Sequence, residues 1–224
     1  MLGWAEFCGL RIQVGAGVFV PRARTGLLVD LAVTIVRHEK HRSGAVAGAF
    51  RGGVSPLVVD LCCGSGAVGA AVAAVSEAEV YAADLDPICV ACARQNLPPE
   101  QVFEGDLYDA LPTTLRGRVD VLVANAPYVP TDAIAMMPPE ARDHEPRVAL
   151  DGGEDGVDLH RRIAGGARDW LAPGGHLVIE TSRHQAALTV AACEDAGLTA
   201  RIVTDDDLEA TTVVATPSVD SSGE

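Results

Sequence analysis

Residues Val119-Asp-Val-Leu-Val-Ala-Asn-Ala-Pro-Tyr128 join an apolar run to an abrupt polar stop. The run, Val119 to Ala124, is short, β-branched and almost uncharged, the pattern of a strand buried in a parallel sheet. Pro127 forbids its continuation and biases Ala126 toward an extended shape. An amide (Asn125), a fixed turn and an aromatic ring (Tyr128) are thus presented where a parallel strand ends, and open α/β sheets bind ligands at that edge. An ordinary strand exit uses the same punctuation. What surrounds Asn125 to Tyr128 therefore decides its meaning.

Outward from this stretch, strands and helices alternate. Leu57 to Leu61 reads as a strand, Gly64 to Val75 as a glycine turn with an Ala-rich helix, and Val80 to Ala83 as a second strand. Asp86-Pro87 opens a helix ending near Asn96, with Asp as cap and Pro at the first position. A short strand at Gln101 to Glu104 and a turn at Asp106 to Leu111 lead into Val119. Residues 129–155 hold four prolines and read as a long loop over the strand ends, the kind that usually serves function. A helix to Trp170, a strand at His176 to Glu180, a helix from about Arg183 to Ala196 and two antiparallel strands, Thr199 to Thr204 and Thr211 to Thr216, follow. Upstream, Leu10 to Val14 and Val18 to Val20 read as a hairpin about Gly15-Ala16-Gly17. Thr25 is placed to cap a helix with the apolar face Leu27, Leu28, Leu31, Ala32 and Ile35, and residues 39–55 read as a loop. This order demands a parallel sheet with helices on both faces and an antiparallel edge.

The bulk properties agree. A chain of 224 residues suffices for one large α/β domain. Aromatics are 4% against 48% hydrophobic, so the core is built from Val, Leu, Ile and Ala. The net charge of −14 repels a phosphate backbone, and the basic clusters, Arg22 with Arg24 and Arg37 to Arg42, are short, so neither nucleic acid nor membrane is an expected partner. Six cysteines without a signal peptide or an apolar span point to free thiols in the cytoplasm. Cys89-Val-Ala-Cys92 matches a metal or redox spacing, but it has no second pair and lies in a helical pattern, so buried thiols and no metal are expected.

Asp60-Leu-Cys-Cys-Gly64-Ser-Gly66-Ala-Val-Gly69 sits between a strand and a helix. Glycines there let the backbone turn sharply and a ligand approach, and the helix start offers N–H groups. Asp84, twenty residues beyond Gly64 at the next strand end, can accept ribose hydroxyls. The glycines also satisfy a dinucleotide fingerprint, so an NAD-binding oxidoreductase is the rival. Asp60 and Asp106 weigh against it: acids there suit a ligand with a cation and an adenine amino group better than a pyrophosphate.

With these motifs in order, the chain resembles the catalytic domain of the release-factor glutamine methyltransferases, the PrmC/HemK family. Trp4 to Gly15 and Val18-Phe-Val-Pro-Arg22 look like that family's hairpin. Asp60 to Gly69, Asp84 and Glu104-Gly-Asp-Leu-Tyr108 look like its cofactor motifs. Asn125 to Tyr128 takes the place of Asn-Pro-Pro-Tyr, and His144-Glu-Pro with Ala149 to Gly156 resembles the following segment. The resemblance covers roughly residues 4–216. It implies a class I S-adenosylmethionine-dependent methyltransferase: α/β, Rossmann-like, a seven-stranded sheet with an antiparallel edge, preceded by a β-hairpin. Residues 1–24 become the hairpin extension, 25–216 the methyltransferase domain and 217–224 a disordered tail.

The resemblance assigns S-adenosyl-L-methionine to Asp60, Cys62, Cys63, Gly64, Ser65, Gly66, Asp84, Asp106, Leu107 and Asn125. It assigns catalysis to Asn125, Ala126, Pro127 and Tyr128, and substrate contact to Asn125, Pro127, Tyr128, Glu145 and Arg147. The implied substrate is a protein with an exposed glutamine, a peptide chain release factor among the candidates. Three departures mark a divergent member. The family's helical N-terminal domain is not expected in this chain. Ala126 replaces a proline, and Ala23-Arg24-Thr25-Gly26 stands where the family shows Pro-Glu-Thr-Glu. Two alternatives stay open: an adenine methyltransferase acting on nucleic acid, and a cofactor-binding module with weak or lost turnover.

Overall fold

A computed structural model describes residues 3–45, 55–136 and 149–218. Its centre is a seven-stranded sheet. In chain order the strands are β3 (Leu57–Leu61), β4 (Glu79–Asp84), β5 (Val102–Glu104), β6 (Val119–Ala124), β7 (Leu171–Glu180), β8 (Leu198–Asp205) and β9 (Ala210–Pro217). Across the sheet the order is β5-β4-β3-β6-β7-β9-β8. The first five are parallel, and β9 runs antiparallel to both β7 and β8. The chain moves outward from β3 through β4 to β5, then returns to start β6 on the other side of β3. The topological switch point therefore lies between β3 and β6, where such sheets take their ligands.

Side-chain alternation splits the core in two. Val58, Val121, Val123 and Val178 face one layer, which holds α1 (Gly26–Ala45), α2 (Ala67–Val75) and α3 (Pro87–Ala93). Leu57, Val59, Leu61, Leu122, Leu177 and Ile179 face the other. That layer holds α4 (Asp158–Trp170) and α5 (Ala186–Asp195). The α4 face is His160, Ile163, Ala164, Ala167 and Trp170, all buried at helical spacing. Asp86 caps α3 as its sequence indicates, accepting the Ile88 N–H at 2.8 Å. Pro173-Gly174-Gly175 lies inside β7 as a bulge: Val119 pairs with Leu171, but Val121 already pairs with His176.

Four expectations need correction. The hairpin pairs β1 (Trp4–Phe7) with β2 (Leu10–Gln13), not residues 10–14 with 18–20. Its turn is Cys8-Gly9, both with positive φ, the geometry that matches strand twist. The first long helix runs on to Ala45, through residues 39–45 of the expected loop; residues 46–54 lie outside the described residues. Thr25 ends a short 3-10 turn ahead of α1, and its hydroxyl accepts from Asn125 rather than serving as a helix cap. The strand β9 includes Pro217, one residue into the expected tail.

Candidate active site

Leu61 is the register partner of Ala124, so the glycine loop and Asn125 leave the sheet side by side. They open onto one cavity of about 590 Å³. Asp60, Cys62, Cys63, Gly64, Ser65, Asp84, Asp106 and Leu107 line one part of it, and Asn125, Ala126, Pro127 and Tyr128 another. The residues assigned separately to cofactor and acceptor therefore share a single space. Gly66 does not line it. It adopts φ +73 at the start of α2, and a Cβ there would come within 3.0 Å of Leu97 Cδ1 and 3.1 Å of Ala93 Cβ. Its smallness serves the packing of the loop. Glu145 and Arg147 lie outside the described residues.

Four N–H groups of the glycine loop are spent internally. Gly64 donates to Asp84 Oδ2 at 2.8 Å and Gly69 to Asp60 Oδ2 at 2.9 Å. The Cys63 N–H goes to the Ala83 carbonyl and the Gly66 N–H to the Cys63 carbonyl. A phosphate cradle needs such groups free and pointing outward. Beside the loop, the strand residues Asp60 and Asp84 line the cavity with carboxylates, an acceptor set that disfavours a pyrophosphate and suits a cationic ligand. S-adenosylmethionine, with a sulfonium and an ammonium and no phosphate, fits it. The same observation weighs against the dinucleotide reading.

Burial tunes these acids. Asp60 is 1% exposed, and burial pushes its carboxyl up to about 7 against the Gly69 hydrogen bond; the nearby Asp84 charge adds to the rise. Asp84 is also raised by burial, opposed by the N–H groups of Asp86 and Gly64. Asp106 is ion-paired with Arg162 Nη2 at 2.7 Å. Burial also raises the cavity thiols Cys62, Cys63 and Cys89, the last to about 12, so they stay protonated and unreactive. Cys89 and Cys92 are both buried, as their helical spacing indicates.

On the acceptor side, Asn125 Nδ2 donates to Thr25 Oγ1 at 3.3 Å. The amide nitrogen is thereby turned to the protein and Oδ1 is left as the acceptor end. The Tyr128 hydroxyl receives Arg24 Nη2 at 3.0 Å and donates to Glu180 Oε1 at 3.4 Å. Its pKa is pushed up to about 12, mainly by burial. The Tyr128 carbonyl accepts Gln185 Nε2 at 2.5 Å, and Gly156 leaves room for that contact. Behind the ring sits His160, with ring centroids 6.5 Å apart. The segment after Tyr128 is tied down: Val129 N–H bonds the Leu150 carbonyl and Gly152 N–H the Val129 carbonyl.

Sequence reasoning missed Arg24, Glu180, Gln185 and Asn96 as site residues. Asn96 Nδ2 donates to the carbonyls of Gln13 and Ser65, both at 2.9 Å, and so fastens β2 to the glycine loop. Each acts across a long separation that no local motif reveals. Glu180 left a trace as a charge closing an apolar strand, and Arg24 as a departure from the resembled motif.

A family model described as Ribosomal protein L11 methyltransferase (PrmA) matches residues 51–144. The chain is 40% identical over 181 residues to a release factor glutamine methyltransferase of Streptomyces coelicolor, covering 80% of this chain and 60% of that one. It is 32% identical over 203 residues to the release factor glutamine methyltransferase of Deinococcus radiodurans, covering 90% and 68%. It is 35% identical over 190 residues to a 4-amino-L-phenylalanine/4-methylamino-L-phenylalanine methyltransferase of Streptomyces pristinaespiralis, covering 84% and 61%. Among solved structures, a protein-(glutamine-N5) methyltransferase (release factor-specific) of Alicyclobacillus acidocaldarius shares the fold, with a TM-score of 0.52, 20% identity, and 92% and 99% of the two chains covered. The chain spans about 60% of the length of the first curated relatives it matches. The sheet order, the carboxylate-lined loop and these relatives converge: the chain has the class I S-adenosylmethionine-dependent methyltransferase fold and belongs to the release factor glutamine methyltransferase family.

Proposed function

We propose that this chain methylates the side-chain amide nitrogen of a glutamine in a protein, using S-adenosylmethionine. The observation that carries the reading is the single cavity walled by Asp60, Asp84 and Asp106 on one part and by Asn125 to Tyr128 on the other. Names of the relatives in Streptomyces coelicolor and Deinococcus radiodurans make a peptide chain release factor the first substrate to test.

An amide nitrogen is a weak nucleophile because its lone pair is delocalised into the carbonyl. Positioning therefore has to supply much of the rate. Asp60 and Asp84 hold the cofactor's cationic and hydroxyl groups, and Asp106 its adenine. The bound cofactor supplies an activated methyl group. Asn125 Oδ1 and the Ala126 carbonyl accept the two N–H groups of the substrate amide and direct its nitrogen. The Tyr128 ring packs on the amide plane. Methylation leaves the nitrogen cationic and strongly acidic, so its proton departs to solvent without a dedicated base. Ala126 keeps the backbone acceptor that the family's proline would provide.

A second reading follows from the Streptomyces pristinaespiralis relative, whose name gives an aromatic amine as acceptor. An aniline nitrogen is also attached to a planar carbon and fits the same wall. The test is mass spectrometry of a lysate incubated with the protein and isotopically labelled S-adenosylmethionine. A label on a glutamine side chain supports the proposal. A label confined to small molecules favours the second reading, and a label in nucleic acid or in no fraction refutes both.

A further inference from the structure

We propose that Glu180 is a positioning residue that fixes the polarity of the acceptor site, holding Tyr128 directly and orienting Asn125 through Thr25. The inference rests on the amide-methylation reading above and deepens it. Glu180 closes β7, beside β6 and its Asn125 exit, and is 3% exposed. Its Oε1 accepts from the Tyr128 hydroxyl and from Arg24 Nε, each at 3.4 Å. Arg24 Nη2 closes the triangle on the Tyr128 hydroxyl at 3.0 Å. That hydroxyl is fixed from two sides, with Arg24 donating and Glu180 accepting. Arg24 also balances the buried charge.

The second arm runs through Thr25, which is 2% exposed. Its hydroxyl already accepts from Asn125 Nδ2, so its own proton needs an acceptor. Glu180 is the carboxylate beside it: the Thr25 hydroxyl is the strongest influence holding the Glu180 pKa down against burial. Glu180 Oε2 is buried and has no hydrogen-bond partner of good geometry among the described residues. This oxygen is the acceptor that the Thr25 proton needs.

The chemistry depends on direction. An ionised carboxylate only accepts hydrogen bonds. It forces Thr25 to donate toward Glu180 and to accept from Asn125. Asn125 must then present its NH₂ to Thr25 and its oxygen to the cavity, and that oxygen is what a substrate NH₂ needs. A flipped Asn125 would set donor against donor. A neutral amide at position 180 could donate to Thr25 and would remove the bias.

The test is Glu180→Gln in the full chain, read in two ways. First, with ¹⁵N-labelled protein and S-adenosylhomocysteine, the Asn125 side-chain amide pair is followed by NMR and assigned by its loss in Asn125→Asp. Second, kinetics are measured on the labelled acceptor. Glu180→Gln is expected to shift or split the Asn125 amide signal and to leave cofactor affinity within about twofold. It is expected to lower kcat by about 100-fold, the scale of a misplaced reacting group. Glu180→Asp should recover part of kcat, because it keeps the carboxylate. Thr25→Val should reproduce the NMR change, and it decides the matter if Glu180→Gln fails to fold. An unmoved Asn125 signal in Thr25→Val and Glu180→Gln, or an aspartate no better than glutamine, overturns the inference. If the wild-type protein methylates no glutamine, the functional reading fails while the NMR result still decides the relay.

Discussion

Leu61 and Ala124 are register partners on the two central parallel strands, so the loops that follow them emerge side by side. The first is the glycine loop of the proposed cofactor site, and the second carries the amide proposed to meet the acceptor. The second needs only its backbone carbonyl at position 126. Ala126 is not in a strand, and among the described residues its N–H makes no backbone hydrogen bond that proline would break. Ala126→Pro is expected to retain methyl transfer and to raise stability by about 0.5 kcal/mol through a stiffer unfolded chain. Thermal melts and initial rates check both, and a strong loss of rate would show that the buried ring does not fit.

Asp60 links cofactor binding to pH. In the free protein its carboxyl titrates at about 7, because burial disfavours the charge. A cationic ligand favours the charged form, so binding must release protons near neutrality. S-adenosylmethionine affinity should rise from pH 6 to pH 8, and calorimetry in buffers of different ionisation enthalpy should show proton release. Asp60→Asn keeps an acceptor for the Gly69 N–H but should bind weakly and lose the pH dependence. Affinity that falls as pH rises would contradict this assignment.

Gly156 adopts φ +80, and a Cβ there would collide with Gln185 Nε2 and come within 2.5 Å of the Tyr128 carbonyl. Gly156→Ala is expected to break the tie between Gln185 and Tyr128 and to loosen the acceptor loop. Stability should fall by about 1–3 kcal/mol from strain alone. Cofactor affinity should hold while kcat drops. Equal losses in both would place the damage in the cofactor half instead.

His160 is fully buried, and burial lowers its pKa to about 4. Its Nδ1 contacts Thr189 Oγ1 at 2.9 Å, while Nε2 is buried without a hydrogen-bond partner among the described residues. The unfolded chain binds this proton below pH 6.5 and the folded chain only below about 4. Stability is therefore full above 6.5 and declines as pH falls through that window, by about 3 kcal/mol in all. Asp60 works the other way: its neutral form is favoured in the fold, and that contribution is lost as pH rises through about 7. Comparing wild type with His160→Gln cancels the Asp60 effect. Denaturant melts at pH 7 and pH 4.5 should show a smaller acid penalty in the variant, and an identical penalty would refute the assignment.

Local rules made most of the fold legible. The buried runs at Leu57 and Val119, the glycine turn at Gly64 and the Asp86-Pro87 cap each carry their meaning within a few residues. The hairpin misled because Gly15-Ala16-Gly17 has two glycines, whereas the real turn places a non-glycine, Cys8, at positive φ. The acids of the proposed cofactor site were readable because each lies at or just past the end of a strand. Arg24, Glu180 and Gln185 were not: Arg24 meets Tyr128 104 positions away and Glu180 156 positions away. Such partners are brought together only by the sheet order.

The most direct test of the account is the Asn125→Ala variant assayed for cofactor binding and for label transfer side by side. Asn125 Oδ1 is assigned to the substrate amide. The account therefore expects S-adenosylmethionine still to bind, weakened at most by the loss of one contact, and transfer to glutamine reduced to background. Transfer at the wild-type rate, or label on the same glutamine despite the missing amide, would contradict it.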